Sequence, residues 1–177
     1  MGSATIFFID PINEESGKVL MNQCIAAVDN GATGLQIRMS SPGGFTQTGF
    51  WLANILRSLP VPLATHNIGE VSSIALPIFL AAPTRSAEPT SRFVMHPLTW
   101  TASEPATIPH HTLREWVASL NNDVARYVEI FEEATSSAEE RFDIRTALLG
   151  NAPSVMNPAQ ALKAGVVHKV ASLPLER

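Results

Sequence analysis

Gly69-Glu70-Val71-Ser72-Ser73-Ile74-Ala75-Leu76-Pro77 joins two segments of different hydrophobic pattern. Before it, the apolar run Val61 to Ile68 reads as a strand; from Ser73 to Ala82 the apolar residues have the length of a helix. Pro77 is tolerated in a helix only near its first turn, which independently puts the helix start near Ser73. A serine on a strand-to-helix turn is exposed, and the helix N-terminus beside it favours negative charge. That is where an acyl-transfer enzyme carries its nucleophile.

Two neighbouring segments strengthen this reading. Upstream, Ser40-Ser41-Pro42-Gly43-Gly44 is a second turn between a strand and a helix. Downstream, His96 ends the strand-like run Arg92-Phe93-Val94-Met95. Taken singly, each is ordinary: serines cap helices, and Ser-Pro-Gly-Gly makes a turn because Pro fixes φ and Gly allows positive φ. Together they supply what a serine nucleophile needs. Its hydroxyl is weak at neutral pH and requires a base within hydrogen-bond reach, for which His96 is the candidate.

Working outward, strand and helix patterns alternate. Ala4 to Ile9 and Leu35 to Met39 read as strands, as do Thr84 to Glu88 and Arg92 to Met95. Val19, Leu20, Cys24, Ile25 and Val28 recur at helical spacing until Asn30-Gly31. Leu52, Ile55, Leu56 and Leu59 form one face of a further helix, closed off by Pro60 and Pro62. Repeated strand-helix-strand units imply parallel strands with right-handed crossovers, an α/β fold. The segment Leu98 to Pro109 breaks the alternation with Pro105, Pro109, Trp100 and no glycine. After it, Leu113, Trp116, Val117, Leu120, Val124, Val128 and Phe131 mark a long amphipathic helix from His110 to Ala134. A last helical stretch is expected from Ala138 to Leu149.

Composition sets outer limits. The 177 residues suit one domain over residues 1–177, with Met1-Gly2-Ser3 read as a cloning remnant. A hydrophobic fraction of 45% beside 16% charged residues leaves apolar surface for a subunit interface, and so suits an oligomer. A net charge of −4 without a Lys/Arg run argues against a nucleic-acid partner. The single cysteine, Cys24, lies among apolar neighbours and reads as a core residue. No apolar run is long enough to span a bilayer and no signal segment opens the chain, so a cytoplasmic location is expected. Nothing in the sequence asks for a metal or a cofactor. His66 is expected to pack, His110 and His111 to be solvated, and His168 to lie at an edge.

The same segments carry a family resemblance. Arg38-Met39-Ser40-Ser41-Pro42-Gly43-Gly44-Phe45-Thr46, Gly69 to Ala75 and Ser91-Arg92-Phe93-Val94-Met95-His96-Pro97 resemble three segments of the Clp protease proteolytic subunit family, in order and in spacing. Pro158-Ala159-Gln160-Ala161 through Gly165-Val166-Val167 is similar to that family's closing segment. The resemblance runs from about Ile6 to Val170 and is strongest over residues 38–97. It implies the spiral fold shared with crotonases, a serine peptidase acting on peptides or unfolded proteins, and stacked heptameric rings interlocked by the long helix as a handle. An ATP-dependent unfoldase partner would accompany it. It also implies an oxyanion hole from the backbone N–H groups of Gly43 and Ile74, with Ser73 and His96 catalytic.

The chain departs from the family at two places. The aspartate expected behind the histidine falls on Pro153, which cannot orient an imidazole through its side chain. Asn151, Asp143 or no third member remain, and Asn151 could hold a neutral histidine as the asparagine of cysteine proteases does. The family's Gly-rich substrate-pairing strand falls on the glycine-free segment after Pro97. Two other readings therefore stand beside the peptidase. One is a catalytically degenerate ring subunit. The other is a crotonase-like acyl-CoA enzyme, for which Glu70 is the only acid near the turn.

Overall fold

Helix and strand follow one another as the hydrophobic periods require, and the tertiary pairing decides where each ends. The computed structural model describes residues 2–99 and 107–174. Trp100 and Pro105 lie outside the described residues. The elements are β1 (Ala4–Phe8), α1 (Glu14–Asp29), β2 (Leu35–Ser41), α2 (Thr46–Arg57), β3 (Leu63–Ser72), α3 (Ala75–Leu80) and β4 (Thr84–Ala87). There follow β5 (Arg92–Met95), α4 (His110–Ala134), α5 (Ile144–Leu149), β6 (Ser154–Met156), α6 (Pro158–Lys163) and β7 (Lys169–Val170).

Local chemistry explains several boundaries. Asn13 caps α1 through a reciprocal capping box with Ser16, and Gly31 at φ +84° turns the chain away after it. Asn157 and Gln160 make the same box for α6, with Pro158 in its first turn. Pro109 precedes α4, whose bounds coincide with the sequence expectation. Two other expectations need correction. The strand expected to end at Ile68 runs on to Ser72, because Glu70 to Ser72 pair with β5, and the helix expected over Ser73 to Ala82 occupies only Ala75–Leu80. The helix expected from Ala138 begins only at Ile144. Residues before it are drawn off by tertiary contacts: Glu140 N–H donates to Lys163 O, and Ala138 packs on Gly165.

The strands form one sheet in the order β1-β2-β3-β4-β7, every neighbouring pair parallel. β3 forks. Its first half, Ala64 to Asn67, pairs with β4; its second half, Glu70 to Ser72, pairs parallel with β5, which in turn pairs antiparallel with β6. Asn67 sits at the divergence. Its backbone carbonyl accepts Glu88 N–H at 2.9 Å, its side-chain amide donates to Arg92 O at 2.9 Å, and its Oδ1 accepts Gly69 N–H at 3.0 Å. β2 follows the bend with a register shift between Met39 and Ser41, and Ser40 Oγ accepts Glu70 N–H.

The core lies between the sheet and the helices. Leu20, Cys24, Phe50, Leu52 and Leu56 from α1 and α2 meet Ile37, Met39 and Val71 from the central strands, all buried. Burial pushes the Cys24 thiol up to about 11, consistent with a small packed side chain rather than a reactive one. Phe79 of α3 meets Phe93 of β5 edge to face, ring centroids 5.2 Å apart. Of α4, only the C-terminal half is buried, through Val124, Tyr127, Val128 and Phe131; Leu113 and Val117 in its N-terminal half are exposed. No helix among the described residues is long and apolar enough to cross a membrane.

The C-terminal segment is clamped across the sheet edge. Arg38 donates to Leu173 O and Pro174 O, while Glu88 accepts from Ser172 Oγ at 2.6 Å, Leu173 N at 3.2 Å and the buried His66 ring at 3.0 Å. His66 packs, as expected, and its other ring nitrogen bonds Ser86 Oγ at 2.8 Å. The Ser172 hydroxyl first, then the His66 ring, hold the Glu88 carboxyl below its usual pKa. A carboxylate lowered by folding stabilises the fold above its unfolded pKa, and that contribution is lost as pH falls through the lowered value. Thermal melting of Glu88→Gln should therefore show a shallower loss of stability than wild type on acidification through the carboxylate range. Parallel curves would mean that this clamp does not couple to folding.

Candidate functional site

The fork in β3 brings the sequence-predicted residues to one end of the sheet. β3 and β5 run parallel with Ser72 opposite Val94, and Ser73 N–H donates to Val94 O at 2.8 Å. The pairing therefore ends with Ser73 on one strand and, two residues past Val94, His96 on the other. Ser72 is buried in β3, whereas Ser73 is half-buried on the turn. Among the described residues, Ser73 is the one non-glycine residue with positive φ, at +53°. An L-residue held there costs about 1–3 kcal/mol, and such strain is retained where surrounding bonds over-determine it. Here the strand bond on its N–H and two donors on its carbonyl, Leu76 N at 3.0 Å and the Tyr127 hydroxyl at 2.9 Å, do so.

The Ser-Pro-Gly-Gly turn is fastened against the Ser73 turn. Ile12 N–H donates to Gly43 O and Phe45 N–H donates to Ile12 O, both at 2.8 Å. Gly43 has φ +87°, and a Cβ there would stand 2.7 Å from Ser73 Cβ, 2.8 Å from Ser72 O and 3.3 Å from Ile74 N. Only a residue without a side chain lets the two turns approach so closely. The Gly43 N–H, predicted to serve an oxyanion, donates in this conformation to Ser41 Oγ at 3.2 Å. Ile74 is buried and packs on Gly49 of α2, which fixes the turn from the other side.

His96 is half-buried. Its Nδ1 lies 3.0 Å from Pro97 O; a carbonyl can only accept, so Nδ1 carries the proton and the Nε2 lone pair of a neutral ring is left for a proton from elsewhere. Among the described residues no hydrogen bond joins His96 to Ser73, to Asn151 or to Asp143. Asn151 is exposed on the turn between α5 and β6. That turn lies alongside His96: Met95 pairs with Ser154, and Leu98 N–H donates to Leu148 O at 3.1 Å. Asp143 is occupied elsewhere, capping α5 through Thr146 N at 3.0 Å and Thr146 Oγ1 at 2.6 Å. Those bonds hold its carboxyl below the usual value. Glu70 is engaged in an ion pair with Arg92, its register partner on β5.

Two contributors escaped sequence reading. The Pro97 carbonyl is a backbone group, invisible in a side-chain inventory. Tyr127 gave a partial signal as the one tyrosine of the chain, placed within a helical apolar pattern; its contact with Ser73 depends on how α4 packs. Among the described residues there is no group of His, Cys, Asp and Glu able to hold a metal ion. The closeness of the two turns makes position 43 the most sensitive test of the geometry. Gly43→Ala should lower stability by about 1–3 kcal/mol and suppress covalent labelling of Ser73 by a fluorophosphonate. Calorimetry and intact-mass kinetics read the two effects; a stable variant labelled at the wild-type rate would show that the turns do not touch in solution.

The comparisons with known proteins bear on the family and the fold. The family model described as Clp protease matches residues 1–173. Over 96 residues the chain is 28% identical to the ATP-dependent Clp protease proteolytic subunit 3 of Rhizobium etli, covering 53% of this chain and 50% of that protein. The subunit of the same name from Rhizobium johnstonii is 27% identical over the same length and coverage. The chain thus spans about half the length of the curated relatives it matches. A solved structure of an asparagine-to-aspartate mutant of ClpP1 from Listeria monocytogenes shares the fold, with a TM-score of 0.75 over 96% of this chain and 91% of that one, at 18% identity. The chain belongs to the Clp protease family.

Proposed function

We propose that the protein is a serine peptidase of the Clp type, with Ser73 as nucleophile and His96 as general base. The observation that carries this is the β3–β5 pairing, which delivers a backbone-strained serine and a histidine with its Nδ1 already bonded to the same end of the sheet. Ser73 Oγ attacks the peptide carbonyl while its proton passes to His96 Nε2. The Ile74 N–H, joined by the Gly43 N–H once it leaves Ser41 Oγ, holds the oxyanion. The C–N bond then breaks, the imidazolium protonates the departing amine, and water hydrolyses the acyl-enzyme by the same route.

The third position is served by one of two acceptors. The Pro97 carbonyl bonds Nδ1 in this conformation, and Asn151 sits on the adjoining turn. Neither carries the negative charge that stabilises an imidazolium, so turnover is slow. We assign peptides and unfolded proteins as substrates, in the cytoplasm, with delivery by an ATP-dependent unfoldase. Stacked heptameric rings are built through α4, whose N-terminal half exposes Leu113 and Val117. Among the described residues no carboxylate hydrogen-bonds His96, which favours one other reading, a catalytically silent ring subunit. A crotonase-like acyl-CoA enzyme is disfavoured because Glu70 is spent on Arg92.

Labelling with a fluorophosphonate, read by mass spectrometry of the Ser73 peptide, separates the first two. An active peptidase is labelled at Ser73 and loses both labelling and hydrolysis in Ser73→Ala, while Ser72→Ala stays close to wild type. A wild-type protein left unlabelled would be the silent subunit. Asn151→Asp then decides the third position. If Asn151 serves His96, hydrolysis should rise, with the roughly 10⁴-fold effect of a triad aspartate as the upper bound. A rate unchanged by the substitution would leave the Pro97 carbonyl as the partner of His96.

A further inference from the structure

We infer that Tyr127 is a positioning residue for the oxyanion donor, aiming the Ile74 N–H from the handle helix by way of the Ser73 carbonyl. The inference rests on Ser73 being the nucleophile and extends that reading to a residue far along the chain. The Ser73 carbonyl and the Ile74 N–H belong to one peptide group. That group is planar and trans, so its oxygen and its hydrogen point in opposite directions, and fixing one fixes the other. The oxygen is held twice, by Leu76 N–H at 3.0 Å and by the Tyr127 hydroxyl at 2.9 Å. Among the described residues nothing accepts from the Ile74 N–H, and a Cβ at Gly43 would stand 3.3 Å from its nitrogen. Donors on the carbonyl also polarise the peptide, making its N–H a stronger donor in turn.

The surroundings suit such a role. Tyr127 is 1% exposed, and its hydroxyl reaches the turn from α4, an element more than fifty residues away in sequence. Burial pushes the phenol well above its usual pKa, so the group stays a donor at every working pH. α4 itself is braced at the same level. Asp123 accepts from Gln47 at the start of α2 at 3.0 Å, and Arg126 lies 3.9 Å over the Phe50 ring. A shift of α4 along its axis would move the Tyr127 hydroxyl relative to the Ser73 carbonyl, while the bond from Leu76, local to the turn, would remain. The helix that exposes apolar surface for assembly is thereby the one that steadies the oxyanion donor.

The test uses the full-length protein and reads both peptide hydrolysis and the rate of fluorophosphonate labelling at Ser73. Tyr127→Phe removes one oxygen and should lower kcat and the labelling rate about tenfold, with KM within about twofold, as expected for one neutral hydrogen bond felt in the transition state. Because the chain has a single tyrosine, growth on 3-fluorotyrosine alters Tyr127 alone. The fluorinated phenol is a stronger donor and should raise the labelling rate at unchanged melting temperature, a response that mere packing does not produce. This second protein also keeps the test open if the phenylalanine variant fails to fold. Equal labelling rates in wild-type and altered proteins, or an effect confined to KM, would overturn the inference while leaving Ser73 as nucleophile. A wild-type protein that is not labelled at all would remove the peptidase reading and this inference with it.

Discussion

The fork in β3 is the constraint on which the rest of the structure depends. A parallel strand can ordinarily pair along one edge with one neighbour; β3 gives its first half to β4 and its second half to β5 on the same side. The divergence would leave backbone groups unpaired in a buried place, at a cost comparable to lost hydrogen bonds. Asn67 removes that cost, with a carbonyl for Glu88, an amide for Arg92 and an Oδ1 for Gly69. Because β5 lies between β3 and β6, the turn carrying Ser73 and the residues after Met95 leave the sheet at the same end.

Beside the apolar core, backbone capture by buried polar side chains also holds the helices onto this frame. Arg85 is the clearest case. It is 4% exposed, and its guanidinium donates to the carbonyls of Ala82, Ala134, Gly165 and Val166, while among the described residues no carboxylate forms an ion pair with it. Burial lowers its pKa to about 10, and the ring of His168 alongside is lowered in turn by its own desolvation and by the Arg85 charge. One side chain thereby ties the end of α3, the end of α4 and the turn after α6. Removing such a buried cation's partners is costly because its charge would be left uncompensated. These three elements bring the Ser73 turn, α4 and the segment after α6 into one arrangement.

Specific residues show how much was legible in advance. The bounds of α4, the run of β5 and the end of α1 at Asn30-Gly31 follow from apolar period, Pro and Gly, all local properties of the chain. The positions of Ser73 and His96 at turn and strand ends were readable for the same reason. The length of β3 was not, because Gly69-Glu70-Val71-Ser72 has weak strand propensity and extends only by pairing with β5. Nor was the loss of helix before Ile144, where Ala138 packs against Gly165 and Glu140 bonds Lys163 O. Local preference yielded in both places to partners distant in sequence.

By itself the sequence determined the alternation of strands and helices, the strand-to-helix turn that bears Ser73, the histidine that follows β5, and the absence of an aspartate at residue 153. Each is a matter of residue type at a position, and residue type is what a sequence records. The tertiary structure alone decided that Ser73 takes a positive φ, that Gly43 abuts it, that the Pro97 carbonyl bonds His96 and that Tyr127 grips the Ser73 carbonyl. These depend on backbone groups, which every residue shares and no sequence pattern distinguishes. They also depend on the approach of segments that only packing brings within hydrogen-bond distance.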